Sequence, residues 1–428
     1  MAEIIEMLEK LNPWWTGKNF NHGIIRNEYL NSIKSFLKTG EIIVITGVRR
    51  AGKTTLIYQT IKHLLDSNVE GKQILFASFD NADISSLKNP IYEVLESFFN
   101  EIADRNKKCY IFFDEIQSVI EWERYARTIY DERKHNLVIS GSSSYLLSNN
   151  LAKLLSGRYL KIEVYPLSFK EFLFFKGVGI KTKLDVFSKK EQIIKLLNIY
   201  LAEGGYPRIA LEKEEALKGE FLKNYFESIV LNDIILMNNV RQEKLMNELI
   251  YYLATNFTQL YSYKNLSEFL SADFSTIREY LGYIENSNLF FSVPIFSYSL
   301  KTQNRNNKKI YFIDNGLRNF ISFKFSKDYG KLAENLVFVE LMRKNKEVYY
   351  WQDNFGNEVD FIIKNKDNSL SAINVTYTDE IDRGELEIFK KLKKEYKKSK
   401  NYVILTKTLE KTEDGIKFIP LWKWLMEQ

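Results

Sequence analysis

The stretch EIIVITGVRRAGKTT, residues 41–55, constrains the fold of this chain more than any other. Ile42, Ile43, Val44 and Ile45 form an unbroken apolar run, which suits a strand buried on both faces. The run breaks at Gly47, and the spacing Gly47-x-x-x-x-Gly52-Lys53-Thr54 follows at once. Beyond it, Leu56, Ile57, Ile61, Leu64 and Leu65 recur at helical spacing, so a helix begins at the lysine. Strand, loop and helix in that order predict a phosphate-binding loop. Gly47, Val48, Arg49, Arg50, Ala51 and Gly52 supply backbone N–H groups that curl around a phosphate at a helix N-terminus. Lys53 adds a point charge for the β- and γ-phosphates, the Thr54 hydroxyl suits Mg2+, and Thr55 is the last of the expected nucleotide-binding residues, so the expected ligands are ATP and Mg2+.

A second stretch, CYIFFDEIQ at residues 109–117, reads as another buried strand. It delivers Asp114 and Glu115 to the strand's carboxyl end, the edge where open α/β sheets bind ligands. Asp114 is expected to hold Mg2+ through water and Glu115 to act as general base on the attacking water. A third strand, Asn136 to Ser140, runs into SGSSS. Ser140 or Ser142 is placed there to sense the γ-phosphate, the alternative being a serine-rich turn. A helix over Tyr145 to Leu155, then Gly157-Arg158, then a strand over Tyr159 to Tyr165 complete the predicted sheet.

Composition bounds the rest. At 428 residues, 45% hydrophobic and with 6 prolines, the chain predicts two or three domains, mostly folded. The lone cysteine, Cys109, lies in an apolar run and predicts a buried thiol, and one cysteine allows no disulfide within the chain, as in a reducing compartment. No apolar run reaches the roughly 18 residues of a membrane span, and Met1 precedes an acidic amphipathic stretch instead of a leader. The expected location is the cytoplasm, away from membranes. A net charge of +6 permits nucleic-acid binding without requiring it.

Taken in order, TGVRRAGKTT, FFDEIQ, SGSSS, LSGRY, YPLSFKEF and EGGYP resemble the archaeal and bacterial ATPases of the extended AAA superfamily, which are related to origin-recognition and signalling ATPases. The likeness covers most of the chain and implies ATP hydrolysis. It implies that Arg158 is a finger reaching the γ-phosphate of a neighbour in a homo-oligomer, where a surface arginine is the competing reading. It also implies that Pro207 of Gly205-x-Pro207 packs by the adenine, that Arg208 is a second phosphate sensor, and that Arg26 in HGIIRNEYL lies on the adenine side. By itself, GGYP reads only as a helix-ending turn. Arg49 and Arg50 add positive charge near the phosphates or an adjacent subunit.

The predicted architecture is α/β: a P-loop NTPase parallel sheet over residues 1–166, a helical lid over 167–240, a winged helix over 241–325, and a small α/β restriction-endonuclease-like domain over 326–428. In the winged helix, Ser275, Thr276 and Arg278 on the third helix face a DNA major groove. The apolar strand LFFSVPIFSYSL, the polar loop KTQNRNNKK and the strand IYFID make its hairpin, and Lys301, Arg305, Lys308 and Lys309 at the tip touch phosphates of the same double-stranded DNA, unless the module contacts protein. The last domain resembles the restriction-endonuclease-like fold through AENLVFVEL, YYWQDNFGNEVDFIIK and SAINVTYT, with Glu334, Glu358 and Asp360 as its acids. That chemistry needs acid-x-lysine on the last of these strands, and the tripeptide here is Asn374-Val375-Thr376, so a degenerate, non-cleaving domain is expected. The lysines of KKLKKEYKKSK, 390–400, flank an apolar stripe of Leu386, Phe389, Leu392 and Tyr396 and predict a solvated helix. The expected function is an ATP-hydrolysing switch or motor acting on DNA or a DNA-associated partner. The alternatives are an ATP-gated, metal-dependent nuclease and a non-turnover, ATP-dependent recruiter of proteins.

Overall fold

The computed structural model describes residues 2–142, 155, 157–322, 328–397 and 399–427. They divide into two compact units, Met1–Val164 and Tyr165–Gln428.

In the first unit the apolar runs become five strands: β1 Ile42–Gly47, β2 Ile74–Ser78, β3 Tyr110–Asp114, β4 Asn136–Ser140 and β5 Tyr159–Val164. They lie in the order β2-β3-β4-β1-β5. Every pairing is parallel, so all five carboxyl ends share one edge of the sheet. Each residue of β1 is buried, as a strand covered on both faces requires. Gly47 ends β1 with φ near +147°, and a Cβ there would lie 2.2 Å from the Val164 carbonyl oxygen, so only glycine lets β1 and β5 close together. The edge strand β2 is sealed by the N-terminal segment. The Trp14 and Trp15 indoles donate to the Ile74 carbonyl, and the Asn12 amide both donates to and accepts from the Phe76 backbone. Cys109 is buried. Of the predicted helix over Tyr145 to Leu155, all but Leu155 lies outside the described residues.

The second unit begins with helices Phe169–Phe175, Lys190–Glu203, Pro207–Leu211 and Glu215–Ser228, the last continuing as a π-helix over Ile229–Leu236. Helices Glu243–Thr255, Tyr263–Phe269 and Phe274–Asn286 follow. They accompany a three-stranded antiparallel sheet of β6 Leu260–Tyr261, β7 Phe290–Val293 and β8 Lys308–Phe312. The long apolar strand and open polar tip predicted for this hairpin are not what forms. Pro294 lacks an N–H for the ladder and β7 ends before it, while helix Leu300–Arg305 occupies the connection. Residues 294–296 instead pair with β9, Glu347–Gln352, through Tyr350, and Phe296 drops into the core beside Trp351 and Leu392.

That core belongs to a six-stranded sheet completed by β10 Glu358–Lys364, β11 Leu370–Val375, β12 Ser399–Thr406, β13 Lys411–Glu413 and β14 Ile416–Pro420. Its order is β13-β14-β12-β11-β10-β9. Helix Tyr329–Arg343 is buried around most of its girth. Helix Arg383–Glu395 buries Phe389 and Leu392 and turns Lys390, Lys391, Lys393 and Lys394 to solvent, as its spacing predicts.

Within this unit the GGYP segment does more than end a helix. The Asp314 carboxylate caps helix Asn315–Ile321 at the Leu317 N–H, 2.9 Å away, and accepts from the Gly205 N–H at 2.6 Å. Gly204 holds φ near +76°, and a Cβ there would meet Asp314 at 2.1 Å. Burial pushes the Asp314 carboxyl up to about 6, against three backbone N–H groups that favour its charge. A carboxyl raised in the fold adds stability that is complete below its unfolded pKa, about 4, and is lost as pH rises through the folded value. Relative to Asp314→Asn, the wild type is therefore expected to lose up to about 3 kcal/mol of unfolding free energy between pH 4 and pH 7 in denaturant titrations. Parallel pH profiles for the two proteins would refute this account.

Candidate nucleotide site

The site is built on the carboxyl edge of the parallel sheet. The loop from Gly47 leads into helix Lys53–Asp66, with Gly52 at φ near +100° and Arg50 at φ near +65° shaping the turn. Val48 and Ala51 are buried, Arg49 is half-buried and Arg50 is exposed. Lys53 is buried, and its ammonium donates to the Gly47 carbonyl at 3.0 Å and the Val48 carbonyl at 3.4 Å. The loop's own oxygens thus hold the charge where it serves the loop.

Beneath the loop lies a chain of hydroxyls and a carboxylate. The Thr54 hydroxyl donates to Asp114 at 2.7 Å, and the Ser140 hydroxyl donates to the other Asp114 oxygen. Asp114 is only 3% exposed, and its burial raises the carboxyl above its ordinary range while the hydrogen bonds from Ser140 and Thr54 pull the other way. Glu115 sits in the left-handed region at φ near +51°; its N–H donates to the Ser140 oxygen at 3.4 Å, and its carboxylate accepts from the Gln117 amide. Ser140, read from the sequence as a phosphate sensor, has its hydroxyl committed to Asp114. Ser142 is buried nearby in the chain, and the serines at 143 and 144 lie outside the described residues. Gln117, which the sequence reading passed over, fixes Glu115; its place two residues after the acid was the available signal.

Arg26 was expected on the adenine side. It is 2% exposed, and its Nη1 donates to the Ala51 carbonyl at 2.9 Å. Its backbone N–H donates to Gln59, and its guanidinium lies 4.5 Å from the centre of the Tyr29 ring. Arg26 therefore braces the phosphate loop from behind. Gln59 was missed as well, although a glutamine on the apolar face of helix Lys53–Asp66 needs a buried partner.

Arg158 immediately precedes β5, at the amino end of the sheet, where its carbonyl accepts from the Ile42 N–H at 3.1 Å. Its guanidinium lies 5.8 Å from the centre of the Tyr130 ring. The length of β1, about 16 Å at a strand's rise per residue, separates it from its own phosphate loop. In the second unit, Pro207 opens helix Pro207–Leu211, and Arg208 is exposed, pairing with Glu212 at 3.3 Å and lying over the Phe221 ring.

The predicted DNA-contact residues divide. Ser275 and Arg278 are exposed, Thr276 is half-buried, and Lys301 and Arg305 lie exposed on helix Leu300–Arg305. Lys308 is half-buried and donates to the Tyr263 hydroxyl at 3.1 Å. Lys309 contradicts its reading, because its side chain is 3% exposed and pairs with Glu334 at 2.7 Å, Asp360 at 2.9 Å, and Glu358. It cannot reach a nucleic-acid phosphate from there. Strand β8 is packed on both faces, with Ile310 and Tyr311 fully buried, so a lysine in it must find its partners inside. A β-bulge in β10 between Val359 and Ile362 flanks Asp360, which also accepts from the Val375 N–H at 2.9 Å. Burial opposes the Lys309 charge, but Asp360 and Glu334 outweigh it and hold the ammonium well above the ordinary lysine range. Burial likewise pushes Glu334 up to about 8.

A parallel sheet with a glycine-rich loop after β1, an Asp-Glu pair after β3, and a threonine joining the two defines a P-loop NTPase-type α/β domain. Residues 39–173 match the family model of an AAA domain. Residues 194–328 and 329–424 match two domains of unknown function, DUF8612 and DUF4143. An uncharacterized protein of Haemophilus influenzae is 33% identical over 410 residues, covering 94% of this chain and 99% of its own. An uncharacterized protein of Methanocaldococcus jannaschii is 34% identical over 404 residues, covering 90% and 88% respectively. The solved Walker-type ATPase of Pyrococcus abyssi is similar at 11% identity and a TM-score of 0.44, over 69% of this chain and 95% of that one. The chain belongs to the family of the Haemophilus influenzae and Methanocaldococcus jannaschii proteins and carries an AAA domain in its N-terminal part. Among the described residues no helix is long and apolar enough to cross a membrane.

Removing the Arg26 side chain leaves the buried Ala51 carbonyl without that partner and loosens the loop. Arg26→Ala is expected to weaken binding of a fluorescent ATP analogue about tenfold, the effect of one lost charge-assisted hydrogen bond. An unchanged affinity would remove Arg26 from the bracing role.

Proposed function

We propose that this protein is an ATP-hydrolysing switch that works as a homo-oligomer. The observation that carries the reading is the Thr54–Asp114–Ser140 hydrogen-bond chain, which locks the phosphate loop to the ends of β3 and β4. A hydroxyl and a carboxylate in contact are hard oxygen donors that suit Mg2+, so Thr54 and Asp114 are the residues that would hold it. When bound, the ion neutralises charge on the β- and γ-phosphates. Loop N–H groups cradle the phosphates, and Lys53 exchanges the Gly47 and Val48 carbonyls for phosphate oxygens. Glu115, held by Gln117, takes the proton of the attacking water. Arg158 lies at the far edge of the sheet from its own loop, which favours a γ-phosphate on a neighbouring subunit as its target. Pro207 is assigned to the adenine and Arg208 to phosphate sensing, the latter at the cost of its pairing with Glu212.

For the second unit, we assign residues 167–240 to a helical lid, 241–325 to a winged helix and 326–428 to a degenerate restriction-endonuclease-like domain. Contact with double-stranded DNA then rests on Ser275, Thr276, Arg278, Lys301, Arg305 and Lys308. A second reading, recruitment of a protein, is favoured by exposed apolar side chains on the same module: Phe269 is 67% exposed, Phe274 51%, Tyr298 73% and Leu300 72%. Steady-state ATPase activity with and without duplex DNA separates the two. The four remaining cations, at about 0.9 per phosphate contact, would contribute a logarithmic salt slope of up to about 3.6 to duplex binding. No DNA-dependent change in turnover or binding would leave protein recruitment.

Lys53→Ala is expected to weaken ATP binding, whereas Glu115→Gln keeps binding and lowers turnover at least a hundredfold, the scale of a lost general base. Full turnover by Glu115→Gln would dismiss it as the base. Mixing Arg158→Ala with Lys53→Ala protein is expected to restore part of the activity, because one hybrid interface regains both groups. A monomer with concentration-independent specific activity would refute the shared site.

A further inference from the structure

The cluster around Lys309 plays no part in the nucleotide reading, yet it gathers three carboxylates on one buried ammonium. Glu334 comes from helix Tyr329–Arg343, and Glu358 and Asp360 stand two residues apart on β10. All three carboxylates pair with one nitrogen, the Lys309 ammonium, which arrives from β8. An ammonium has three N–H donors and no acceptor, so three carboxylates exhaust it. Tyr311, two residues on, secures the arrangement by donating its hydroxyl to Glu334 at 2.7 Å.

Three carboxylates meeting at a point are also the donor set of a hard divalent cation. The ammonium stands where such an ion would stand. Among the described residues no group of three or more His, Cys, Asp or Glu side chains is arranged to hold a metal ion. The lysine belongs to the matched segment 194–328 and the acids to the segment 329–424, so the contact also crosses the seam between the two domains of unknown function.

We infer that Lys309 is a built-in counter-cation: it fills the meeting point of Glu334, Glu358 and Asp360, joins the β8 hairpin to the C-terminal sheet, and excludes Mg2+ or Mn2+ from a position those acids would otherwise offer it. Two consequences follow for the chain. Metal-dependent cleavage at these acids is closed in the wild type by occupancy, besides lacking the acid-x-lysine pattern at Asn374-Val375-Thr376. The hairpin is also pinned by charge, since withdrawing β8 would leave buried Glu334 and half-buried Glu358 and Asp360 without their shared cation.

The inference does not depend on the ATPase reading, and its test is run without nucleotide in an Asp114→Asn background, which removes the acid of the nucleotide site. Lys309→Ala in the full chain is expected to melt about 10 °C lower, the scale of a broken buried ion pair in a unit of this size. It is also expected to bind one Mn2+ per chain by electron paramagnetic resonance titration and to regain at least half of the lost melting temperature. The protein with Lys309 intact is expected to show neither effect. Saturable Mn2+ binding with Lys309 in place, lost in Asp360→Asn, overturns the proposal, and so does a folded Lys309→Ala that takes up no Mn2+. A Lys309→Met, Asp360→Asn double variant removes one charge of each sign and is expected to be more stable than Lys309→Met alone, with no need of metal. If Lys309→Ala does not fold, recovery of folded protein in the double variant supports the proposal and its equal failure overturns it.

Discussion

The buried carboxylate of Asp114 is the constraint on which the nucleotide-binding unit turns. A charge 3% exposed at a strand end is costly unless its oxygens are satisfied, and Thr54 and Ser140 satisfy one each. Those two residues belong to different elements, the helix after β1 and the end of β4. Satisfying the acid therefore fixes the phosphate loop, β3 and β4 relative to one another. Arg26 performs the complementary task from the other side by holding the Ala51 carbonyl. The loop is thus anchored at its start by the Gly47 approach to β5, in its middle by Arg26, and at its end by Asp114. An anchored loop presents its N–H groups without a reorganisation cost when a phosphate arrives.

The second unit follows a similar rule with the signs exchanged. Here the isolated charge is a cation, Lys309, and three acids surround it. In both units a polar group placed inside by an apolar strand dictates which other elements can approach. Asp314, seated against Gly205 and Leu317, is a third instance, and it ties the GGYP turn to helix Asn315–Ile321.

Four of the five parallel strands were legible, β1, β3 and β4 as short apolar runs and β5 by its place after Gly157-Arg158, whereas β2, Ile74–Ser78, was passed over; the phosphate loop was legible because glycine, lysine and threonine have fixed spacing. Asp114 and Glu115 were legible for the same reason, since a strand's end locates its last residues. What the sequence hid were partnerships across long separations. Nothing local to Lys309 names Glu334 or Asp360, and a lysine in KTQNRNNKK looks like one more polar loop residue. The corrective signal was its strand: Ile310 and Tyr311 are both buried, so from Lys309 onward β8 has no solvent-facing side to offer a charge. The hairpin was misread because Pro294 was counted inside a strand, although it cannot donate to a ladder. Arg26 was named but its partners were not, and Gln59 was hidden in the same way, because each pairs with a group on another element.

The seal on β2 bears on how the chain is made. Asn12, Trp14 and Trp15 leave the ribosome long before their partners Ile74 and Phe76, some sixty residues later. During that interval the two indoles and the amide wait without a strand to cover. Once β2 emerges, its outer rim is capped by a segment already present in the same chain, which leaves little time for a strand from another molecule to add there. The rim of β2 is thus closed from within the chain, and Asn12, Trp14 and Trp15 answer to a strand that lies far from them in sequence.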